Sequence, residues 1–326
     1  MNSSSSRMPS MPDPRFVRTN GIDVAVHVAG DGLDGSLPVV LLHGFPELAF
    51  SWRHQMGALA QAGCLVIAPD LRGYGRTGPQ GGTRDYRMAN LELDVLGLLD
   101  ALDIRKAVFV GHDFGGALAW SIARDHAQRV LGVIALNTPY TRRASVDLVE
   151  AVRQARGPSH YMVTFQQAGV GEALLGADVE ATFRALMRKP ALTLQEFEAA
   201  PARLRELPAT LFVGEPAVMG EPLLREEELA VFVQAFRRTG FEGALSWYRN
   251  LRQNWEDTVD TPDRVSVPAL MISAANDFFL PPSTVQGMER IVPDLERHIV
   301  PDCGHFVPEE RPQLVAERAR ALFGLR

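Results

Sequence analysis

The stretch Val108-Phe-Val-Gly-His-Asp-Phe-Gly-Gly116 constrains this chain more than any other. An apolar run rich in Val and Phe reads as a strand, and it gives way to a turn with glycines two residues before and two after Asp113, then to a helical pattern. A turn that sharp leaves no room for side chains at its flanks. It forces the central residue into a strained backbone conformation and stands its side chain at the N-terminus of the next helix. An N-cap aspartate after a strand would need none of Gly111, Gly115 and Gly116. The layout is a nucleophile elbow with a carboxylate in the nucleophile's place.

Such an elbow belongs in a parallel sheet, and the rest of the chain agrees. Segments 15–18 and 22–28 alternate around Asn20-Gly21, the strongest short hairpin signal. Apolar runs at Pro38–Leu42, Leu65–Ala68, Ala107–Val110, Val130–Leu136, Ala269–Ser273 and Arg297–Val300 read as buried strands. Helical patterns over Trp52–Ala62, Leu91–Leu102, Gly115–His126, Ser283–Ile291 and Glu309–Phe323 alternate with them. Strand–helix alternation implies right-handed crossovers and helices on both faces of a mostly parallel, eight-stranded sheet. Between Thr138-Pro139 and about Val259 the alternation stops, and Ala, Leu, Glu and Arg in helical patterns take over. The organisation expected is a disordered tail over residues 1–14, an α/β core from 15–138 plus 263–326, and a helical cap inserted at 139–262.

Composition excludes several roles. With 33 Lys+Arg against 39 Asp+Glu the formal net charge is −6, so neither nucleic acid nor an anionic membrane is the expected partner. No apolar run approaches the roughly 20 residues that span a bilayer. Two cysteines, Cys64 and Cys303, in 326 residues fit a reducing compartment, so a cytoplasmic location is expected. No His/Cys/Asp cluster has metal-ligand spacing, and no cofactor is called for.

The elbow predicts partners. His43-Gly-Phe-Pro46 follows the third strand, where a backbone N–H of Phe45 and that of Phe114 would form an oxyanion hole. An acid and a base should follow in chain order, at carboxyl ends of later strands. Asp277, just past Ala269–Ser273, is the acid candidate, and His305, in Pro301-Asp-Cys-Gly-His-Phe306, is the base. Asn137 occupies the alternative acid position and cannot supply a carboxylate. His43 and His112 are read as braces of the two motif loops, and Asp302 as a turn residue.

Taken together, HGFP at 43–46, GHDFGG at 111–116, NDFFLPP around Asp277 and DCGHF at 302–306 resemble the epoxide hydrolases of the α/β-hydrolase fold, over nearly the whole chain from Phe16. Ser51-Trp-Arg53 and Asp70-Leu-Arg-Gly-Tyr-Gly75 add to the likeness. Within the insertion, Tyr161-Met-Val-Thr-Phe-Gln166 and Ser246-Trp-Tyr-Arg-Asn250 resemble the two cap segments that carry ring-opening tyrosines. The resemblance therefore implies Tyr161 and Tyr248 in that role, and a chain that turns a hydrophobic epoxide and water into a vicinal diol. One departure is Phe114, where many relatives have Trp, which bears on substrate shape. Trp52, Phe165, Trp247 and Phe306 are expected to contact substrate. A haloalkane or haloacetate dehalogenase shares the Asp–His–acid machinery, but Phe45 and Phe114 offer no side-chain donor to a leaving halide. A catalytically silent binding protein of this fold is the third reading, and the complete triad argues against it. Oligomeric state is not legible.

Overall fold

The alternating strand residues of this chain sort into two apolar clusters, one on each side of a single sheet. The computed structural model describes residues 11–32, 35–214 and 218–324; the first ten residues of the expected tail lie outside them. Among the described residues the sheet has eight strands: β1 (Arg15–Thr19), β2 (Ile22–Ala29), β3 (Leu37–Leu42), β4 (Cys64–Pro69), β5 (Ala107–His112), β6 (Val130–Leu136), and, after the insertion, β9 (Ala269–Ala274) and β10 (Leu295–Val300). Their order is β1-β2-β4-β3-β5-β6-β9-β10. β1 and β2 form the antiparallel hairpin read from Asn20-Gly21, both of which have positive φ, and β2 is antiparallel to β4. Every other pairing is parallel.

Period-two alternation decides which residues face which helices. Val39 and Leu41 join one cluster with α1 (Arg53–Gln61) and the C-terminal helix α14 (Pro312–Phe323). Val40 and Leu42 join the other, with α2 (Met88–Ala101) and α3 (Phe114–Asp125). Strand order reverses between β3 and β5, so the loops after these two strands splay apart and leave a crevice at their carboxyl ends. The elbow and the HGFP loop border that crevice.

The insertion between β6 and β9 carries α4 (Leu148–Arg156), α5 (Tyr161–Thr164), α6 (Val170–Gly176), α7 (Val179–Leu186), α8 (Leu194–Ala199), α9 (Ala202–Arg205), α10 (Glu226–Thr239), α11 (Glu242–Arg249) and α12 (Leu251–Asp257). It also holds a two-stranded antiparallel ribbon, β7 (Arg188–Pro190) with β8 (Met219–Pro222), which three- and four-residue segments containing proline do not announce. Its apolar faces merge with the α2–α3 side of the core.

Two helical expectations are corrected. Segment 283–291 forms two 3₁₀ turns, Pro282–Val285 and Met288–Arg290, because Gly287 between them is left-handed at φ 81°. The last helix is broken into α13 (Val307–Glu310) and α14, because Pro312 pushes Arg311 out of the helical region, to φ −135° and ψ 61°. Cys64 and Cys303 are buried and free. No described helix is long and apolar enough to cross a membrane.

Candidate active site

β5 delivers Asp113 to the turn at φ 51° and ψ −121°, a conformation that side chains resist. The flanking glycines are obligatory: a Cβ on Gly111 would stand 2.2 Å from the carbonyl oxygen of Gly115, and one on Gly115 would stand 2.0 Å from that of Leu42. The neighbouring strand braces the turn, since Thr138 Oγ1 donates to the Asp113 carbonyl at 2.7 Å and Trp120 Nε1 donates to that of Thr138 at 2.9 Å. Asp113 Oδ1 accepts the Phe45 N–H at 2.8 Å, and the Phe114 N–H beside it helps to hold the carboxylate's charge. Of the two expected donors, Phe45 is thus seated on the Asp113 carboxylate and Phe114 is its chain neighbour.

Three buried groups hold these loops together. His43 Nε2 accepts the Leu71 N–H at 3.0 Å, which leaves its Nδ1–H for the Gly44 carbonyl at 3.0 Å. Glu47 Oε2 accepts the Gly44 N–H at 2.6 Å and faces His112 Nδ1 at 2.8 Å. His112 Nε2 lies 2.7 Å from the carbonyl of His305, so this one ring ties Glu47 to the loop that carries His305. Burial would raise the Glu47 carboxyl, but the contact with His112 brings it below its ordinary value. His43 and His112 are thus the braces that the sequence indicates.

Asp277 follows β9. Its Oδ1 accepts the N–H groups of Phe279 and Leu280 at 2.8 and 3.0 Å, and its Oδ2 is 2.9 Å from His305 Nδ1. His305 Nε2 points to Asp113 Oδ2, 3.8 Å away. The base is fixed through its own backbone as well: Asn137 Nδ2 donates to the His305 carbonyl at 2.7 Å while Asn137 Oδ1 accepts the Ala274 N–H at 2.8 Å. Asn137 thus ties the base loop to β9 from the strand end where relatives could place an acid. Asp302 occupies a left-handed turn position at φ 48°.

Charge follows this geometry. Burial lowers His305, but the Asp277 carboxylate, then Asp113 and Glu47, outweigh it and leave the imidazole at about 9. Burial would raise Asp277, and His305 with two backbone N–H groups holds it below its ordinary value. Asp113 is raised, because burial outweighs its cationic and N–H neighbours.

Tyr161, at the start of α5, and Tyr248, in α11, are both buried and meet edge to face with ring centroids 5.9 Å apart. Tyr248 packs edge to face on Phe114 at 4.7 Å and Phe45 at 5.2 Å, the two residues whose N–H groups form the expected oxyanion hole. Burial first, then nearby negative charge, raises both phenols well above their ordinary value, so both carry protons at neutral pH. Asp113, His305 and the two tyrosines line one small cavity with Phe45, Pro46, Leu186, Phe212, Phe279 and Phe306. A roomier open groove beside Trp120, Arg124, Tyr140 and Trp255 is lined by neither Asp113 nor His305.

Of the residues expected to contact substrate, Phe306 lines the cavity. Phe165 packs behind the tyrosines, 5.8 Å from Tyr161 and 5.4 Å from Tyr248. Trp247 lies a layer back, against Phe114 at 5.5 Å, with its indole N–H on the Arg72 carbonyl at 3.0 Å. Trp52 is a correction: it is fully buried in the α1–α14 cluster on the other face of the sheet, because the short 3₁₀ turn Ala49–Trp52 leads directly into α1. Leu186, Phe212 and Phe279 were missed. Phe279 could have been found two residues past the acid; Leu186 and Phe212 carry no local signal.

The family model for the alpha/beta hydrolase fold matches residues 38–312. Epoxide hydrolase A of Mycobacterium tuberculosis is 38% identical over 322 residues, covering 96% of this chain and 98% of that protein. Bifunctional epoxide hydrolase 2 of Sus scrofa is 39% identical over 285 residues, 85% of this chain and 50% of that protein, so the chain spans about half the length of this relative. The crystal structure of epoxide hydrolase A from Mycobacterium thermoresistibile superposes with a TM-score of 0.85 at 35% identity, covering 97% and 99% of the two chains.

Proposed function

The chain belongs to the epoxide hydrolases of the α/β-hydrolase fold, and on that premise we propose that it opens a hydrophobic epoxide by forming a covalent ester on Asp113 and then hydrolyses the ester to a vicinal diol. The observation that carries this reading is the division of labour on one carboxylate. Oδ1 is held by the Phe45 N–H at 2.8 Å, whereas Oδ2 faces the cavity and His305. Oδ2 is the oxygen free to attack.

Attack on a ring carbon breaks its C–O bond and releases an alkoxide, a leaving group that needs a proton or strong hydrogen bonds. Tyr161 and Tyr248, kept protonated by burial, supply them. Esterification removes the Asp113 charge, one of the negative charges that raise His305. The imidazolium can then give up its proton to restore the phenol and become the neutral base that the second step requires. Water deprotonated by His305 attacks the ester carbonyl carbon, with Asp277 orienting the ring. The oxyanion that forms on Oδ1 meets the Phe45 and Phe114 N–H groups, and collapse returns the carboxylate and the diol. Aromatic walls around the cavity favour a hydrophobic substrate.

One turnover in oxygen-18 water tests the reading. The first diol should carry unlabelled oxygen taken from Asp113, and the label should appear in Asp113; label in that first diol would refute the ester. Asp113→Ala should lose turnover by on the order of 10⁴ or more. Halide release from a chloroalkane without diol formation from any epoxide would favour dehalogenation instead.

A further inference from the structure

Among the described residues, a buried cluster of charge outside the triad joins the insertion to the core. Arg53, at the start of α1, is 3% exposed and lies between two carboxylates. Nη1 and Nη2 form a bidentate pair with Glu309 at 2.6 and 2.7 Å. Nε and Nη2 meet Glu228 Oε1 at 3.2 and 3.1 Å. The guanidinium also lies over the Phe50 ring, 4.6 Å from its centroid. Glu309 is in α13, four residues beyond His305, and Glu228 is in the first turn of α10, inside the insertion. One cation therefore bridges helix α1, the base loop and the cap.

Stability alone accounts poorly for this arrangement. Stripping water from a guanidinium and two carboxylates costs about as much as their pairing returns, and apolar trios of similar volume often do as well. What the charges add is direction, because the planar fork accepts its two partners in one relative placement. Both arms lead to reacting groups. Glu228 Oε2 accepts the Arg225 N–H at 3.0 Å, so the carboxylate that grips Arg53 also caps α10. α10 turns through Gly240 into α11, which carries Tyr248. On the other arm, the Glu309 N–H bonds the carbonyl of Phe306, and Gln55 Nε2 donates to the Pro308 carbonyl at 2.8 Å. The helix that holds Glu309 is thus tied to the residue next to the base.

Resting on the reaction given above, we propose that Arg53 is a positioning residue that sets the tyrosine helix and the imidazole relative to one another, with Glu228 as its cap-side arm and Glu309 as its base-side arm. The arms are separable. Loss of the cap-side arm disturbs ring opening, and loss of the base-side arm disturbs ester hydrolysis.

Single-turnover kinetics with a styrene-type epoxide, following the Asp113 ester by acid quench and mass spectrometry, measure the two steps apart. Glu228→Gln should slow ester formation about tenfold and leave ester hydrolysis unchanged, and Glu309→Gln should do the reverse. Arg53→Met should slow both steps by roughly 10- to 100-fold, and Arg53→Lys, which keeps the charge without the fork, should fall between it and the parent. All rates are taken well below each variant's Tm. A lower Tm with both rates intact in every variant would overturn the proposal, as would equal slowing of both steps by the two glutamine variants. Should Arg53→Met not fold, the opposite asymmetry of the glutamine variants decides. Absence of ester in the parent enzyme would overturn the reaction and this proposal together, whereas ester formation with unchanged variant rates would overturn this proposal alone.

Discussion

His305 Nε2 stands 3.8 Å from Asp113 Oδ2, beyond hydrogen-bond reach, while its Nδ1 lies 2.9 Å from Asp277. The imidazole is committed to the acid on one side and open on the other, where a water attacking the ester carbonyl would enter. On the proposed reaction, Asp113 owes its charge to its own ionisation and needs no base. Serine elbows need one, and that difference would leave His305 free for the second step.

The His305–Asp277 pair makes stability depend on pH. The folded imidazole titrates at about 9, above its ordinary unfolded value of about 6.5. Its contribution is therefore complete below about pH 6.5 and is lost as pH rises through 9. Thermal denaturation between pH 6 and 10 should show the parent losing Tm relative to Asp277→Asn across that window. Parallel curves would rule out the pair as the source.

Ester formation should lower the imidazole's pKa, because the Asp113 charge disappears. The single-turnover rate of ester hydrolysis should then rise with pH along a pKa below the one that NMR finds for His305 in the free enzyme. Coincident values would mean that Asp113 does not influence the base.

Tyr161→Phe and Tyr248→Phe should each slow ester formation by on the order of 10²-fold, the cost of removing one donor from a developing oxyanion. Neither should change ester hydrolysis. The double variant should form ester slowest of the three, measured by burst amplitude and rate. Full activity in it would make the phenols bystanders.

A Cβ on Gly304 would stand 2.5 Å from Pro190 Cδ, so the cap ribbon presses directly on the residue before the base. Gly304→Ala should cost about 1–3 kcal/mol in chemical denaturation and slow ester hydrolysis more than ester formation. Pro190→Ala, which removes the colliding atoms, should recover part of both effects in the double variant. Simple additivity would show that the contact does not transmit strain to His305.

Much of the site was legible before any coordinates, for a local reason. Asp113, Phe45, Phe114, Asp277 and His305 sit in short loops at strand ends, and the backbone demands of those loops appear in neighbouring glycines and in chain order. Asn137 was readable only as a position lacking a carboxylate; its two hydrogen bonds to the base loop and β9 emerge from strand neighbours far apart in sequence. Tyr161 and Tyr248 were reached through family likeness alone, since an aromatic residue in a helical segment has no local mark of catalysis.

The sequence by itself determined the alternating core and the elbow, and indicated Asp277 and His305 as the candidates that follow it, because strand period and tight-turn chemistry act over a few residues. Tertiary structure alone decided that Trp52 faces away from the cavity, that Leu186 and Phe212 line it, and that Arg53 joins Glu228 to Glu309. Those outcomes depend on how separate helices pack across the sheet and onto the insertion, and packing between segments far apart in the chain leaves no period in it.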